Sequence, residues 1–173
     1  MSDQMSLDTI KASLTNPLRP YLWDVVIPNL LGGGDATALQ ARAQSIQIPG
    51  RSVGTAILIP YKQTAGIKFP GKLVYDHTWV VKFIEGEDLK VFNAIYGWSQ
   101  LLVNDNTGVG AGDENIKTNL FFTLVGTKQT DLKQIKLEGC YPEKLDSQDL
   151  TYAADGTVTF SVTFSFDKWS SVS

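Results

Sequence analysis

The sequence predicts a mainly β protein: two packed antiparallel sheets, forming a sandwich or partly closed barrel, with one flanking α-helix and an N-terminal arm. Three observations predict it. The stretch TVTFSVTFSFDKW, Thr157 to Trp169, is apolar at every second residue from Val158 to Phe166, the period of a strand buried on one side. Asp155-Gly156 supplies hairpin-turn chemistry just before it. A single stretch, 88–102, carries apolar residues at a convincing helical spacing.

Taken in order, residues 1–20 form the N-terminal helix and arm. Ser6 is a fitting N-cap, with Leu7, Ile10 and Leu14 along one side of a short helix. Pro17 and Pro20 end it by forcing extended backbone. Tyr21, Trp23, Val25 and Ile27 alternate as a first strand. GGGDATA reads as a mobile loop or hairpin tip, and a second strand is expected around Gln40 to Ile48. The next span interleaves Pro and Gly with Ile, a pattern of extended segments outside a sheet centre. Its stretch 46–62, with apolar Ala56 to Ile59, is a candidate exposed hairpin that seeks a partner.

LVYDHTWVVKFIE places Leu73, Tyr75, His77, Trp79, Val81 and Phe83 on one face of a long strand. Val91, Ile95, Trp98 and Leu102 then mark the helix, with Asp88 as its expected N-cap and Gly97 a point of close approach by a neighbour. Residues 103–119 are polar and glycine-rich, a flexible loop. NLFFTLVGT, DLKQIKLEGC and SQDLTY follow as strands before the closing stretch.

The chain has 173 residues and a formal net charge of −3. One core is expected, spanning 1–173 as a single unit. The charge argues against general affinity for nucleic-acid backbones. No apolar run reaches membrane-spanning length, so no membrane anchor is expected, and MSDQMSLDTI does not resemble a secretory leader. Cys140, the single cysteine, cannot form an internal disulfide, which suits synthesis in a reducing compartment.

The residue inventory also argues against catalysis. His77 is the single histidine; on a regular strand Asp76 points to the opposite face and cannot orient it. Without a second histidine, Cys140 reads as a buried structural thiol. One His and one Cys cannot build a zinc site, and Asp146 and Asp149 lack EF-hand spacing. GVGAG, Gly108 to Gly112, lacks the Lys-Ser/Thr ending of a phosphate loop. Neither enzyme activity nor a cofactor is expected. Trp23, Trp79 and Trp98 fall at core positions, while Trp169 is either a lid on the core or an anchor between subunits.

The order YLWDVVIP, QSIQIPGRSVGTAILIPY, GKLVYDHTWVVKF, DLKVFNAIYGWSQ, a glycine-rich loop, IKLEGCYPEKLDSQDLTY and VTFSVTFSFDKW resembles the tail tube proteins of contractile-tailed bacteriophages. The resemblance covers nearly the whole chain. It implies two packed sheets with one helix, a fold shared with type VI secretion tubes. It further implies six-membered rings whose inner sheets join into one barrel, stacked into a hollow tube. The implied partners are further copies, a sheath protein, baseplate and tail terminator proteins, and phage DNA passing through without specific binding. The implied location is the virion tail, after synthesis in the bacterial host cytoplasm.

Carried onto this chain, the family's stacking arm falls at Ile48, Arg51, Val53, Ile57 and Ile59. Thr157, Thr159, Ser161, Thr163 and Ser165 form a smooth hydroxyl face, either lining the bore or lying under another subunit or loop. The bore is expected to be acidic to neutral and without clustered Lys. Two alternatives stand beside a phage tail: a type VI or other injection-particle tube, and a β-sandwich module that binds a ligand. The second lacks the aromatic platforms expected on its loops, and a hydrolase lacks titratable partners.

Overall fold

The computed structural model describes residues 6–14, 17–61, 65–110, 112, 116–151 and 156–172, with backbone alone over 57–61 and at 65. The elements run α1 (Leu7–Ser13), β1 (Trp23–Val26), α2 (Ala36–Arg42), β2 (Ala43–Ile46), β3 (Arg51–Tyr61), β4 (Ala65–Tyr75), β5 (Thr78–Ile84), α3 (Lys90–Leu102), β6 (Thr118–Val125), β7 (Asp131–Leu145), β8 (Thr159–Ser165) and β9 (Lys168–Val172). Seven strands form one antiparallel sheet in the order β1-β6-β7-β8-β5-β2, with β9 added along β7. β3 and β4 form a second sheet of their own. The protein is mainly β, and its large sheet is open at β1 and β2 rather than closed as a barrel.

β7 is the strand on which the sheet turns. Its first part pairs with β6 and β9, its last residues with β8. Gly139, at φ +68°, stands at the changeover, where any side chain would run into the Asp167 carboxylate. Because β5 and β6 are not neighbours in the sheet, the stacking of Trp79 on Phe122 at 5.8 Å means that the two halves face one another. Val81, Phe83, Val162, Phe164 and Phe166 fill the space between. At one side, α3 buries Val91, Ala94, Ile95 and Trp98, with Trp98 tilted against Phe164 at 6.0 Å.

The helix does not begin as expected. Leu89 takes a left-handed conformation and the cap position, so α3 starts at Lys90 and Asp88, one residue further back, reaches only the Lys90 N–H, at 3.5 Å. Buried Glu85 takes that role: its carboxylate accepts from the backbone N–H groups of Val91 at 3.3 Å and Phe92 at 2.7 Å. Asp88 instead receives both terminal nitrogens of Arg42, each at 2.7 Å. Gly97 is a point of close approach, with the Gly32 carbonyl 3.0 Å from where a side chain would begin.

Five further expectations are corrected. The second strand starts at Ala43, because Asp35 caps a helix that takes up Gln40. GGGDATA therefore runs into α2 rather than forming a hairpin tip. The strand from Leu73 to Phe83 breaks at Asp76 and His77, where His77 has φ +55° and its side chain is exposed. Ser147 to Thr151 adopt no strand. The closing stretch is two strands rather than one, because Asp167 N–H turns to the Glu138 carbonyl at 2.9 Å and sends β9 onto β7. Asp155 of the expected hairpin turn lies outside the described residues.

Candidate functional site

Among the described residues, the β3–β4 ribbon, the arm, contributes none to the buried core. The sequence placed a hairpin at 46–62, but the ribbon spans Arg51 to Tyr75 and half of it is β4. Its ladder sets apolar residues opposite one another: Val53 against Leu73, Ile57 against Phe69 and Ile59 against Ile67. Val53 is 56% exposed, Ile67 55% and Phe69 46%, while Val74 also faces solvent. A free two-stranded hairpin is marginally stable in water, and contiguous exposed apolar surface marks a place of contact.

Of the five residues expected to make stacking contacts, Ile48 stands exposed just before the arm, and Arg51 and Val53 are exposed on β3. Ile57 and Ile59 occupy β3 register positions, but their side chains lie outside the described residues. Sequence reasoning missed Ile67, Phe69, Leu73 and Val74. Lys68, Pro70, Gly71 and Lys72 interrupt them, and two register shifts spoil a clean alternation. The usable signal was charge: between Arg51 and Tyr75 there are four Lys or Arg and no Asp or Glu.

The arm's root is clamped to the body. The Trp79 indole N–H donates to the Gln47 carbonyl at 2.7 Å, and that of Trp169 to the Gly50 carbonyl at 3.3 Å. Tyr75, the last residue of β4, meets Trp169 edge-on at 6.2 Å. His77 Nδ1 lies 2.9 Å from the Phe166 carbonyl, pinning the junction between β4 and β5. Trp169 thus holds the arm's base within one chain. His77, expected on a packed strand face, is instead the exposed pivot of this junction.

The hydroxyl residues form the second surface. Thr159, Ser161, Thr163 and Ser165 lie along β8, half-buried, opposite Ile84, Lys82, Val80 and Thr78 of β5. Thr157 is exposed and precedes the strand. From the other side of β8, Lys144 pairs with Thr163 and Tyr141 with Ser165. Lys144 reaches Asp146 at 2.6 Å, which raises the lysine pKa, and Lys82 is exposed. The face is thus mostly small hydroxyls with two lysines beside them.

Cys140 is fully buried, and desolvation pushes its thiol up to about 12. Among the described residues, no cluster of three or more His, Cys, Asp or Glu could hold a metal ion. Gly108 and Gly112 have positive φ in the loop after α3, and Gly110 bridges Val103. Among the described residues no helix is long and apolar enough to cross a membrane.

Comparison with known proteins places this geometry. The phage tail tube protein family matches residues 27–172. No match emerges among curated protein sequences. Among solved structures, the sheath/tube terminator of an extracellular contractile injection system, in the extended state, is similar at a TM-score of 0.65 and 14% identity over 91% of this chain and 98% of that one. The anti-feeding prophage tube-terminating cap is similar at a TM-score of 0.64 and 16% identity, over 98% and 95%. The sheath–tube complex of an extracellular contractile injection system gives 0.59 and 14%, over 98% and 99%.

Proposed function

We propose, for a chain that belongs to the phage tail tube protein family, that six copies close into a ring and that rings stack through the arm into a hollow tube. The sheath contracts around this tube and drives it into the host, and DNA travels down the bore. The observation that carries the proposal is the arm: apolar, exposed over most of its described length, and clamped to the body at its root.

The edges of the large sheet support ring closure. β1 and β2 each have a single strand partner among the described residues. Open edges invite indiscriminate pairing, and joining β1 of one copy to β2 of the next would remove both around a closed ring. The arm supplies a contact of the other kind, one that does not close by rotation and therefore propagates.

The hydroxyl face of Thr157, Thr159, Ser161, Thr163 and Ser165 lines the bore in this proposal. Small uncharged groups give passing phosphates little to hold, whereas each added cation strengthens backbone binding. Lys82 and Lys144 are the cations beside this face, and the Lys144–Asp146 pair limits one of them. Sheath, baseplate and terminator proteins are the further partners, and the virion tail is the location, with synthesis in the host cytoplasm. A second proposal, an injection-particle tube carrying another cargo, is favoured by the similar contractile-injection structures and keeps the same assembly.

Electron microscopy of the purified protein across a concentration series tests this. Rings or filaments with a central hole are expected. A protein that stays monomeric at every concentration overturns both versions.

A further inference from the structure

The chain's net charge of −3 conceals a polar molecule: the arm, Arg51 to Tyr75, carries +4 without one acid, so all other residues together carry −7. An apolar groove of about 560 Å³ lies between the start of α3 and the chain around β8, lined by Leu89, Phe92, Leu145, Leu150, Val158 and Phe160. Among the described residues, its charged lining residues are all acids: Glu85, Glu87 and Asp146. Glu85 is committed to Arg42 and to α3, and Asp146 to Lys144. Glu87 is exposed.

Arm and groove sit at opposite ends of the same two strands. The arm joins β5 at Thr78 and is pinned beside Phe166, just after β8. The groove lies where β5 ends at Ile84 and β8 begins at Thr159. Seven residues of strand separate these ends by roughly 20 Å. The arm does not fold back onto its own groove, since Val53, Ile67 and Phe69 stay exposed.

We infer that the groove is the receptor for the arm of a second copy, a head-to-tail contact that joins basic to acidic and apolar to apolar. This rests on the proposal above that the arm is the stacking element, and adds what it docks into. The contact is heterologous, so each bound copy presents a fresh groove or a fresh arm and the series continues. Two surfaces without cover in a single chain are thereby covered together. Attraction between the unlike charges also orients the approaching copies and weakens with added salt.

The test is a charge exchange in the full-length protein, read as the sedimentable fraction and tube length by electron microscopy. Lys68→Glu with Lys72→Glu should lower assembly about tenfold, as should Glu87→Lys alone, and the three together should recover most of it. All three side chains are exposed, so the fold is not at stake. Leu150→Asn, at a residue 79% exposed, removes groove apolarity without touching charge and should also block assembly. If arm variants block assembly while Glu87→Lys and Leu150→Asn leave tubes unchanged, the groove is not the receptor, though stacking by the arm stands. If groove variants block assembly, arm variants do not, and Leu7→Asp in α1 does, the occupant is α1. If no arm variant has any effect, the stacking proposal itself fails.

Discussion

The body and the arm are held by opposite means. In the body, Trp79, Trp98, Phe83, Phe122, Phe164 and Phe166 are each less than 2% exposed, and Trp79 stacks on Phe122 across the two halves of the sheet. In the arm, Val53 and Ile67 are more than half exposed, and the ribbon's own ladder is its chief support beyond the root. The two regions spend similar residue types on different ends. Apolar side chains in the body hold one chain together, and those in the arm stay exposed. A substitution should therefore act on stability in one region and on association in the other.

The largest effect on stability is expected at Trp98. It is fully buried, and its indole N–H donates to the Ile116 carbonyl at 2.9 Å. Trp98→Ala should cost about 4 kcal/mol in chemical denaturation. A loss below 1 kcal/mol would mean that the α3 face is not part of the core. Next comes Glu85→Gln, which retains shape but removes the charge that holds two N–H groups of α3 and Arg42. It should cost about 2 kcal/mol by the same measurement. Asp88→Asn, though nearer the helix in sequence, should cost less, which directly separates the two capping assignments.

These two residues also show where the sequence was legible and where it was not. The apolar periods of α3 and β8 were legible, because 3.6-residue and 2-residue spacing reflect burial on one side. Glu85 was not, because it reaches the helix from beyond a turn, and a cap search looks at the residue adjoining the first turn. α2 was within reach: Asp35 before an Ala-rich run is a helix-start signal that the preceding glycines obscured. The break between β8 and β9 depends on Gly139 meeting Asp167, a contact between residues far apart in the chain. For the arm, the extended β3 half was legible from its interleaved Ile, Pro and Gly, while β4 was hidden by the Lys, Pro and Gly between its apolar residues.

A smaller effect sharpens the boundary between the regions. Trp169→Phe retains a ring near Tyr75 but loses the bond to the Gly50 carbonyl. Global stability should fall by about 1 kcal/mol or less. Amide exchange over 51–56 and 66–75 should quicken, while exchange in α3 stays as it was. Uniform quickening across the chain would show that the arm is not a separately anchored unit.

The smallest effect is electrostatic. Hydrogen bonds from Arg42 lower the Asp88 carboxyl from its usual 3.8 to about 2. A lowered value in the folded state favours folding above the ordinary carboxylate range, and this contribution fades as pH falls through about 2. Asp88→Asn should therefore flatten the acid limb of the stability curve between about pH 4 and pH 2, with little change of its slope near neutrality. An unchanged acid limb would mean that Arg42 does not hold Asp88 in solution.

The comparison between body and arm is tested most directly by Val53→Asp together with Phe69→Asp, followed by sedimentation velocity and electron microscopy beside the wild-type chain. The wild type is expected to form hollow tubes. The variant is expected to keep its melting temperature and ring-forming edges yet to yield no tubes longer than single rings. Tubes of wild-type length from the variant would contradict the assignment of the arm to stacking.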